Sequence, residues 1–150
     1  MFDRILVLCV GNVCRSPLAE RLLRKGLPDL NVSSAGIGAL VGKPADETTA
    51  SVAHDHGVCL AGHSARQLSQ ELIEQSDLVL VLEPGHKREV TTKFPHLSGR
   101  VMLLDQWGER KGIPDPYQRS REFHEHVFEL IDQASKSWIE KLSGGKGKGE

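Results

Sequence analysis

Residues Cys9 to Ser16, "CVGNVCRS", place a thiol, a guanidinium and a hydroxyl between an apolar run and a helix signal. In a loop between a strand and a helix, successive backbone N–H groups converge on one point, and the helix N-terminus adds partial positive charge there. Arg15 offers a planar fork for two oxygens of an oxyanion. The segment therefore predicts an anion site whose phosphate-binding residues are Val10, Gly11, Asn12, Val13, Cys14, Arg15 and Ser16.

Cys9 lies at the base of this predicted site and is the candidate nucleophile. The thiolate is the reactive form of cysteine, and cationic groups and helix N-termini favour it. The same groups can thus activate Cys9 and later hold the oxygens of a phosphoryl group during its transfer. We expect Ser16 to donate a hydrogen bond to the sulfur and to cap the following helix. We expect the amide of Asn12 to brace a loop residue at positive φ.

Cys14 follows Cys9 after five residues and suggests a second role for the loop. In a tightly curled loop its sulfur could form a reversible disulfide with oxidised Cys9, which would protect the nucleophile from irreversible oxidation. Cys59 has no partner at a telling spacing, and we expect it in the core. Three cysteines are too few for a secreted disulfide framework, so we expect reduced thiols and a cytosolic protein.

The pattern along the chain predicts strands that alternate with helices. "RILVLCV" is a continuous apolar run typical of a buried strand, and Pro17 begins a helix with an apolar stripe that ends near Gly26. Such alternation predicts a parallel sheet covered on both faces, with ligands at the carboxyl ends of the strands. Further strands are predicted at 31–35, 77–82 and 100–104, further helices at 46–56, 69–75, 85–94 and 123–142, and a long surface loop at 105–119.

Composition narrows the class of protein. The 150 residues suffice for one domain, predicted over 1–142, and the apolar-free segment 143–150 is expected to be a flexible tail. The 39% hydrophobic and 26% charged residues and the net charge of -1 exclude a disordered chain, a coiled coil and a general affinity for nucleic acid. The apolar run near the start is too short for a membrane span, so we expect no membrane insertion.

Two other patterns in the sequence do not indicate a nucleotide-binding or metal site. "GIGALVGKP" lacks the glycine spacing and the Ser or Thr after lysine that a Walker loop requires. The histidine pairs His54/His56 and His124/His126 are two residues apart, which directs them to different faces of a helix. We therefore expect them to be solvated, and we expect neither a metal nor a cofactor.

The stretch "VLCVGNVCRSPLAE" resembles the signature of the low-molecular-weight protein tyrosine phosphatases, which is a cysteine, five residues, an arginine and a serine near the N-terminus. In that family an Asp-Pro-aromatic segment downstream supplies the general acid, and this chain has "DPY" at Asp115 to Tyr117. "SSAG" at 33–36 and "GHSARQL" at 62–68 match as well. The resemblance extends from Arg4 to Leu142.

The resemblance implies a three-layer α/β fold with a four-stranded parallel sheet, helices on both faces and the phosphate loop between the first strand and the first helix. It implies that Cys9 attacks phosphorus, that Arg15 holds the oxygens and that Asp115 protonates the leaving phenolate. Leu40 and Tyr117 would then form the walls of the substrate pocket. It also supports the redox role of Cys14.

Three polar side chains in or near the matching stretches are expected to support the loop. Ser34 could bond Asn12, and a bond between Glu20 and His63 could tie the first helix to the next segment, although a polar surface pair explains these residues equally well. By resemblance to the bacterial branch, the partner is a phosphotyrosine protein, for which a tyrosine kinase of exopolysaccharide export is a candidate. We expect a monomer.

Two other functions stay open at this point. An arsenate reductase on the same fold would bind arsenate in the same loop, but it needs a pair of additional cysteines, and only Cys59 lies outside the loop. A non-catalytic module that binds phosphotyrosine or senses oxidation is the alternative from another class. Asp115 argues against it, because a binding module has no use for a general acid.

Overall fold

The computed structural model describes the backbone of residues 3–148 and the side chains of residues 3–143, and it contains one parallel sheet. The strand order is β2-β1-β3-β4, which confirms the predicted α/β class with four parallel strands. The strands are β1 (Arg4–Cys9), β2 (Asn31–Gly36), β3 (Leu78–Val81) and β4 (Val101–Leu103). The helices are α1 (Arg15–Gly26), α2 (Glu47–Asp55), α3 (Gln70–Glu74), α4 (Pro84–Lys93) and α5 (Arg121–Lys148), with a 3-10 turn at Pro95–Arg100.

Strand β1 is central because its residues from Ile5 onward are buried on both faces. Ile5 and Val7 belong to the apolar cluster that α1, α2 and α5 cover. Leu6 and Leu8 alternate to the other face, which is covered by residues of α3 and α4. This two-sided burial explains why the strand is continuously apolar, as parallel strands in such sheets are.

The carboxyl end of β1 is held close to the end of its neighbour β2. Cys9 pairs in register with Gly36, and the main-chain oxygen of Val10 lies against the latter. A Cβ atom at Gly36 would come within 2.5 Å of that oxygen, so the close approach requires glycine. The residues after β1 are therefore fixed against the segment that follows β2.

The structure corrects three local predictions. Helix α1 begins at Arg15 with Cys14 at its N-cap and no side-chain cap, so Ser16 lies inside the first turn and is free for other contacts. Cys59 is exposed, because the flanking Val58 and Leu60 take the buried positions in this extended segment. His124 is buried rather than solvated, because it lies at the start of α5 against α2.

The C-terminal helix is longer than predicted, since α5 continues to Lys148 instead of ending near Leu142. Where the helix continues, the hydroxyl of Ser143 donates to the carbonyl oxygen of Ile139 in the preceding turn. The boundary between a domain at 1–142 and a flexible tail at 143–150 stays a prediction, and residues 149 and 150 of that tail lie outside the described part. No helix within residues 3–148 combines the length and apolar character that a membrane span needs.

Candidate active site

The segment from Cys9 to Ser16, named the phosphate loop below, is held by its carbonyl groups. The carbonyl oxygens of Cys9, Val10, Gly11 and Val13 accept hydrogen bonds from the main-chain N–H groups of Ile37, Gly38, Leu40 and Asp46. The carbonyl of Asn12 accepts from Nε2 of His63 at 2.6 Å. The chain has no cis peptide bond among its described residues, and in a trans peptide the N–H points opposite to the preceding C=O. The N–H groups of residues 10–14 therefore turn towards the inside of the loop, as an anion site requires.

The Cys9 sulfur lies at the base of this loop next to the hydroxyl of Ser16. The two atoms are 2.9 Å apart and buried. Nδ2 of Asn12 donates to the same Ser16 oxygen at 2.8 Å. When Cys9 is a thiolate its sulfur can only accept, so Ser16 then donates to it. The predicted contact between Ser16 and the sulfur is present.

Asn12 braces the loop from its own position in the left-handed region, at φ 60°. Its Nδ2 also donates to the hydroxyl of Ser34 at 3.0 Å, as predicted, and its Oδ1 accepts from the main-chain N–H of Arg66. Asparagine tolerates this backbone conformation better than most residues. The loop residue at positive φ that the side chain fixes is thus Asn12 itself.

The predicted bond between Glu20 and His63 is wrong in its partners. Glu20 instead accepts from the hydroxyl of Ser34 at 2.6 Å and forms an ion pair with Arg24 at 3.0 Å. His63 contacts the carbonyl of Asn12, as described above. His63 therefore contacts the phosphate loop directly, whereas Glu20 is connected to it through Ser34, which bonds Asn12. Spacing along the chain does not reveal such an intermediate.

Arg15 is the largest side chain that the fold buries almost completely, with 1% exposure. Its Nη1 donates to Oε2 of Glu83 at 2.5 Å and to the main-chain oxygen of Ile113 at 2.7 Å. Its Nη2 lies 3.7 Å from Oδ2 of Asp115. Both hydrogen bonds use the Nη1 side of the guanidinium, which fixes its plane relative to the loop.

Glu83 is a site residue that the sequence analysis missed. It lies two residues after the end of β3, so the rule that ligands lie at the carboxyl ends of parallel strands could have identified it. The neighbouring His86 is buried, and its Nε2 lies 3.7 Å from the Glu83 carboxylate. Burial lowers the pKa of His86, and the Glu83 charge only partly offsets this effect. The neutral imidazole does not compete with Arg15 as a cationic partner of the Glu83 carboxylate.

A cavity of about 160 Å³ opens above the phosphate loop. Cys9 and Arg15 line its floor, and Asp115 lines its side. Leu40 and Tyr117, each 39% exposed, lie at its rim, so the structure brings both predicted wall residues to the same opening. Oδ1 of Asp115 accepts from the main-chain N–H of Tyr117 at 3.1 Å. A thiol, a guanidinium and a carboxylic acid thus share one cavity with an apolar rim.

Cys14 also lines this cavity, but its thiol differs from that of Cys9 in its surroundings. Burial raises the pKa of Cys14 to about 12, and a hydrogen bond with Thr49 opposes this rise. Thr49 Oγ1 in turn lies 3.2 Å from Nδ1 of His124. Burial lowers the pKa of His124, against the charges of Asp46 and Asp115. Sequence patterns missed Thr49 and His124, because nothing in them shows that α2 and α5 meet behind the loop.

Comparisons with known proteins give matches over nearly the whole chain. The sequence model of the low molecular weight phosphotyrosine protein phosphatases matches residues 4–147. The chain is 49% identical over 142 residues to the low molecular weight protein-tyrosine-phosphatase Etp of Escherichia coli strain K12, which covers 95% of this chain and 96% of Etp.

Solved structures match over the same extent. The tyrosine phosphatase Wzb of Escherichia coli K30 in complex with sulphate superposes with a TM-score of 0.92 at 48% identity, covering 95% of this chain and 99% of Wzb. Wzb of Vibrio vulnificus in complex with benzylphosphonate has a TM-score of 0.91 at 46% identity, over 94% and 99%. The arginine phosphatase YwlE of Geobacillus stearothermophilus is less similar in sequence, with a TM-score of 0.91 at 31% identity over 100% and 98%. The chain belongs to the low molecular weight phosphotyrosine protein phosphatase family.

Proposed function

We propose that this protein tyrosine phosphatase hydrolyses phosphotyrosine with Cys9 as nucleophile, Arg15 as oxyanion clamp and Asp115 as general acid. One observation carries the assignment. The inward N–H groups of the phosphate loop, the Cys9 thiol, the Arg15 guanidinium and the Asp115 carboxylate all face one cavity. These groups correspond to binding, attack, charge stabilisation and protonation of the leaving group.

The reaction then proceeds in two displacements. The Cys9 thiolate attacks phosphorus, the bond from phosphorus to the phenolic oxygen breaks, and Asp115 donates its proton to that oxygen. The inward N–H groups and Arg15 hold the three non-bridging oxygens throughout. Asp115, now a carboxylate, takes a proton from a water that attacks the phosphocysteine. Inorganic phosphate leaves, and Ser16 stabilises the regenerated thiolate.

The rim of the cavity supports an aromatic substrate. Val10, Leu40 and Tyr117 are large apolar side chains left exposed around a polar floor. A phenyl ring packed between Leu40 and Tyr117 would place its phosphate on the loop, whereas the shorter phosphoserine would not reach it. The Vibrio relative was solved with benzylphosphonate, in which a phosphonate is likewise carried by a benzyl group.

The partner is a phosphotyrosine protein, and a tyrosine kinase of exopolysaccharide export is the specific candidate. We infer a cytoplasmic monomer. The reaction needs neither a metal nor a cofactor, since the loop and Arg15 supply the positive charge that holds the phosphate.

Cys14 serves as the resolving thiol when Cys9 is oxidised. Two observations support this redox role, because both cysteines are free thiols and both line the same cavity.

The test compares four substrates and two variants. We expect turnover of para-nitrophenyl phosphate and of a phosphotyrosine peptide, with little turnover of a phosphoserine peptide or phosphoarginine. Cys9→Ser should abolish turnover, because a hydroxyl is a far weaker nucleophile than a thiolate. Cys59→Ser, which removes the exposed cysteine, is the matched control and should keep the full rate. Wild-type turnover in Cys9→Ser would contradict the assignment, and a preference for phosphoarginine would contradict the substrate.

The same variant identifies the partner. Cys9→Ser keeps the anion-binding loop and should retain phosphotyrosine proteins from a lysate, which free phosphate then elutes. Arsenate-dependent oxidation of thiols in the wild-type protein would favour an arsenate reductase instead.

A further inference from the structure

The Cys14 thiol faces a buried polar pair that the phosphatase reaction does not use. Thr49, at the start of α2, and His124, at the start of α5, are both buried behind the phosphate loop. Cys14, Thr49 and His124 line the same crevice, in which the Thr49 hydroxyl lies 3.2 Å from Nδ1 of His124 and interacts with the Cys14 sulfur. Nε2 of His124 meets the distance and angle criteria of no hydrogen bond within the described residues. The surroundings of the ring nevertheless include the carboxylate of Asp46, 3.9 Å from Nε2, and the main-chain carbonyl of Pro116.

We propose that Thr49 and His124 relay the proton of the Cys14 thiol when that thiol attacks oxidised Cys9. The proposal rests on the redox role of Cys14 under the proposed function and adds the residues that make Cys14 reactive. A thiol must lose its proton to attack, and Cys14 is only 3% exposed. The crevice beside it is lined by Leu18, Val52 and Ile131 and has a volume of about 10 Å³. Solvent therefore has little access as a base on this side.

Disulfide formation between Cys9 and Cys14 requires an oxidant, which is peroxide in this proposal. Peroxide converts the Cys9 thiolate to a sulfenic acid. The Cys14 sulfur attacks the Cys9 sulfur, so that the disulfide forms and the bond from sulfur to oxygen breaks. The Cys14 proton passes to Thr49 Oγ1, while the Thr49 hydroxyl proton passes to Nδ1 of His124. The departing hydroxide takes a proton from solvent, the imidazolium later returns one, and the net products are the disulfide and one water.

The surroundings of His124 suit a residue that receives this proton. Burial keeps its imidazole neutral at rest, so Nδ1 can accept. After the transfer, both nitrogens carry protons, and Nε2 faces Oδ2 of Asp46 at 3.9 Å. The charges of Asp46 and Asp115 and the main-chain carbonyl of Pro116 favour the imidazolium, whereas the charge of Arg121 opposes it. The ring is thus surrounded by acceptors that suit the charged state.

The experiment measures how much of the Cys9 sulfenic acid reacts with Cys14 to form the disulfide and how much reacts with an added trapping reagent. Protein with Cys59→Ser, which leaves two thiols, is treated with peroxide in the presence of dimedone, and mass spectrometry measures the ratio of disulfide to dimedone adduct. This ratio does not depend on how fast the sulfenic acid forms. We expect Thr49→Val and His124→Phe each to shift the ratio towards the adduct by at least about tenfold, as for loss of an acid-base group. Thr49→Ser keeps the hydroxyl and should restore the wild-type ratio.

Controls separate the relay from the function on which it rests. His126→Phe changes an exposed histidine of the same helix and should leave the ratio unchanged. Cys14→Ser should give adduct alone. If the wild-type protein also gives adduct alone, the redox role of Cys14 is contradicted and the relay with it. If the wild-type disulfide forms but Thr49→Val, Thr49→Ser and His124→Phe all match it, only the relay is overturned. If His124→Phe does not fold, the difference in this ratio between Thr49→Val and Thr49→Ser still tests the relay.

Discussion

The phosphate loop and the acid loop, defined as residues 105–120, face the same cavity but are built differently. Six of the eight residues of the phosphate loop are buried, and five consecutive carbonyl groups within it are hydrogen-bonded to surrounding segments. In the acid loop, Asp115 and Tyr117 are exposed on either side of the buried Pro116. The chain therefore preorganises the groups that bind and attack the phosphate, and places the proton donor on a loop with few fixed points.

The difference follows from what each group must do. Charge on the transferring phosphoryl group is best stabilised by dipoles that are already oriented, since no reorganisation is then needed. The proton donor must instead serve the leaving phenolate and afterwards a water, which occupy different positions. The acid loop is held at Ile113, whose N–H donates to Leu82 and whose carbonyl accepts from Arg15. Arg15 thus connects the two loops.

Among the substitutions that test this comparison of the two loops, the largest effect is therefore expected for Arg15→Lys. Lysine keeps the charge but lacks the planar fork, so it cannot hold Glu83 and the phosphate oxygens in one geometry. We expect kcat/KM to fall by about 1000-fold, the upper range for loss of one oxyanion donor. The fall should be equal for para-nitrophenyl phosphate and phenyl phosphate, because both reactions need the clamp. Arg21→Lys on the outer side of the same helix is the control, and a comparable loss there would contradict a specific role.

Asp115→Asn should differ from Arg15→Lys, because its effect on the rate should depend on the leaving group of the substrate. Para-nitrophenolate is stable without a proton, whereas phenolate is not. We expect turnover of phenyl phosphate to fall by about 100-fold, as for loss of a general acid, and turnover of para-nitrophenyl phosphate to fall much less. Glu109→Gln removes an exposed carboxylate of the same loop and should change neither rate. Equal losses for both substrates would show that Asp115 acts on binding rather than on proton transfer.

The sequence predicts the phosphate loop well because its residues are adjacent along the chain. The apolar run of β1, the glycine, the asparagine and the helix signal at Pro17 together determine a strand, a loop and a helix in that order. The acid at Asp115 lies a hundred residues away, and only the family resemblance linked it to Cys9. Local pattern alone would have assigned "PDPY" to a turn.

The contacts behind the loop were not predictable in the same way. Glu83 reaches the site from the turn between β3 and α4, Thr49 from α2 and His124 from α5, so each contact depends on how separate elements pack. His124 and His126 look alike in sequence, yet one is buried and the other exposed. The partners of Glu20 were mistaken for the same reason, since Ser34 of β2 comes between it and the loop. Side-chain partners across elements are set by packing geometry, which periodicity does not encode.

The smallest of these effects is expected for Asn12→Ala, which tests whether the rigidity of the phosphate loop matters. The change removes the bonds of Asn12 to Ser16 and Ser34, which keep Cys9 and Glu20 as partners, and it takes away the acceptor of the Arg66 N–H. It also places alanine at φ 60°. We expect a loss of about 1–3 kcal/mol in the free energy of unfolding, as for an unsatisfied buried hydrogen-bonding group, measured by urea denaturation. We expect kcat to fall by about tenfold, since Ser16 is no longer held against Cys9.

Asn12→Gly separates the two causes, because glycine adopts this φ without strain but makes none of the side-chain bonds. If the bonds preorganise the loop, glycine should recover stability relative to alanine while kcat stays low. Recovery of both quantities would mean that only the backbone conformation matters. In that case the buried polar side chains around Asn12 would add little to catalysis, and the contrast between a braced phosphate loop and an adaptable acid loop would reduce to a difference in burial.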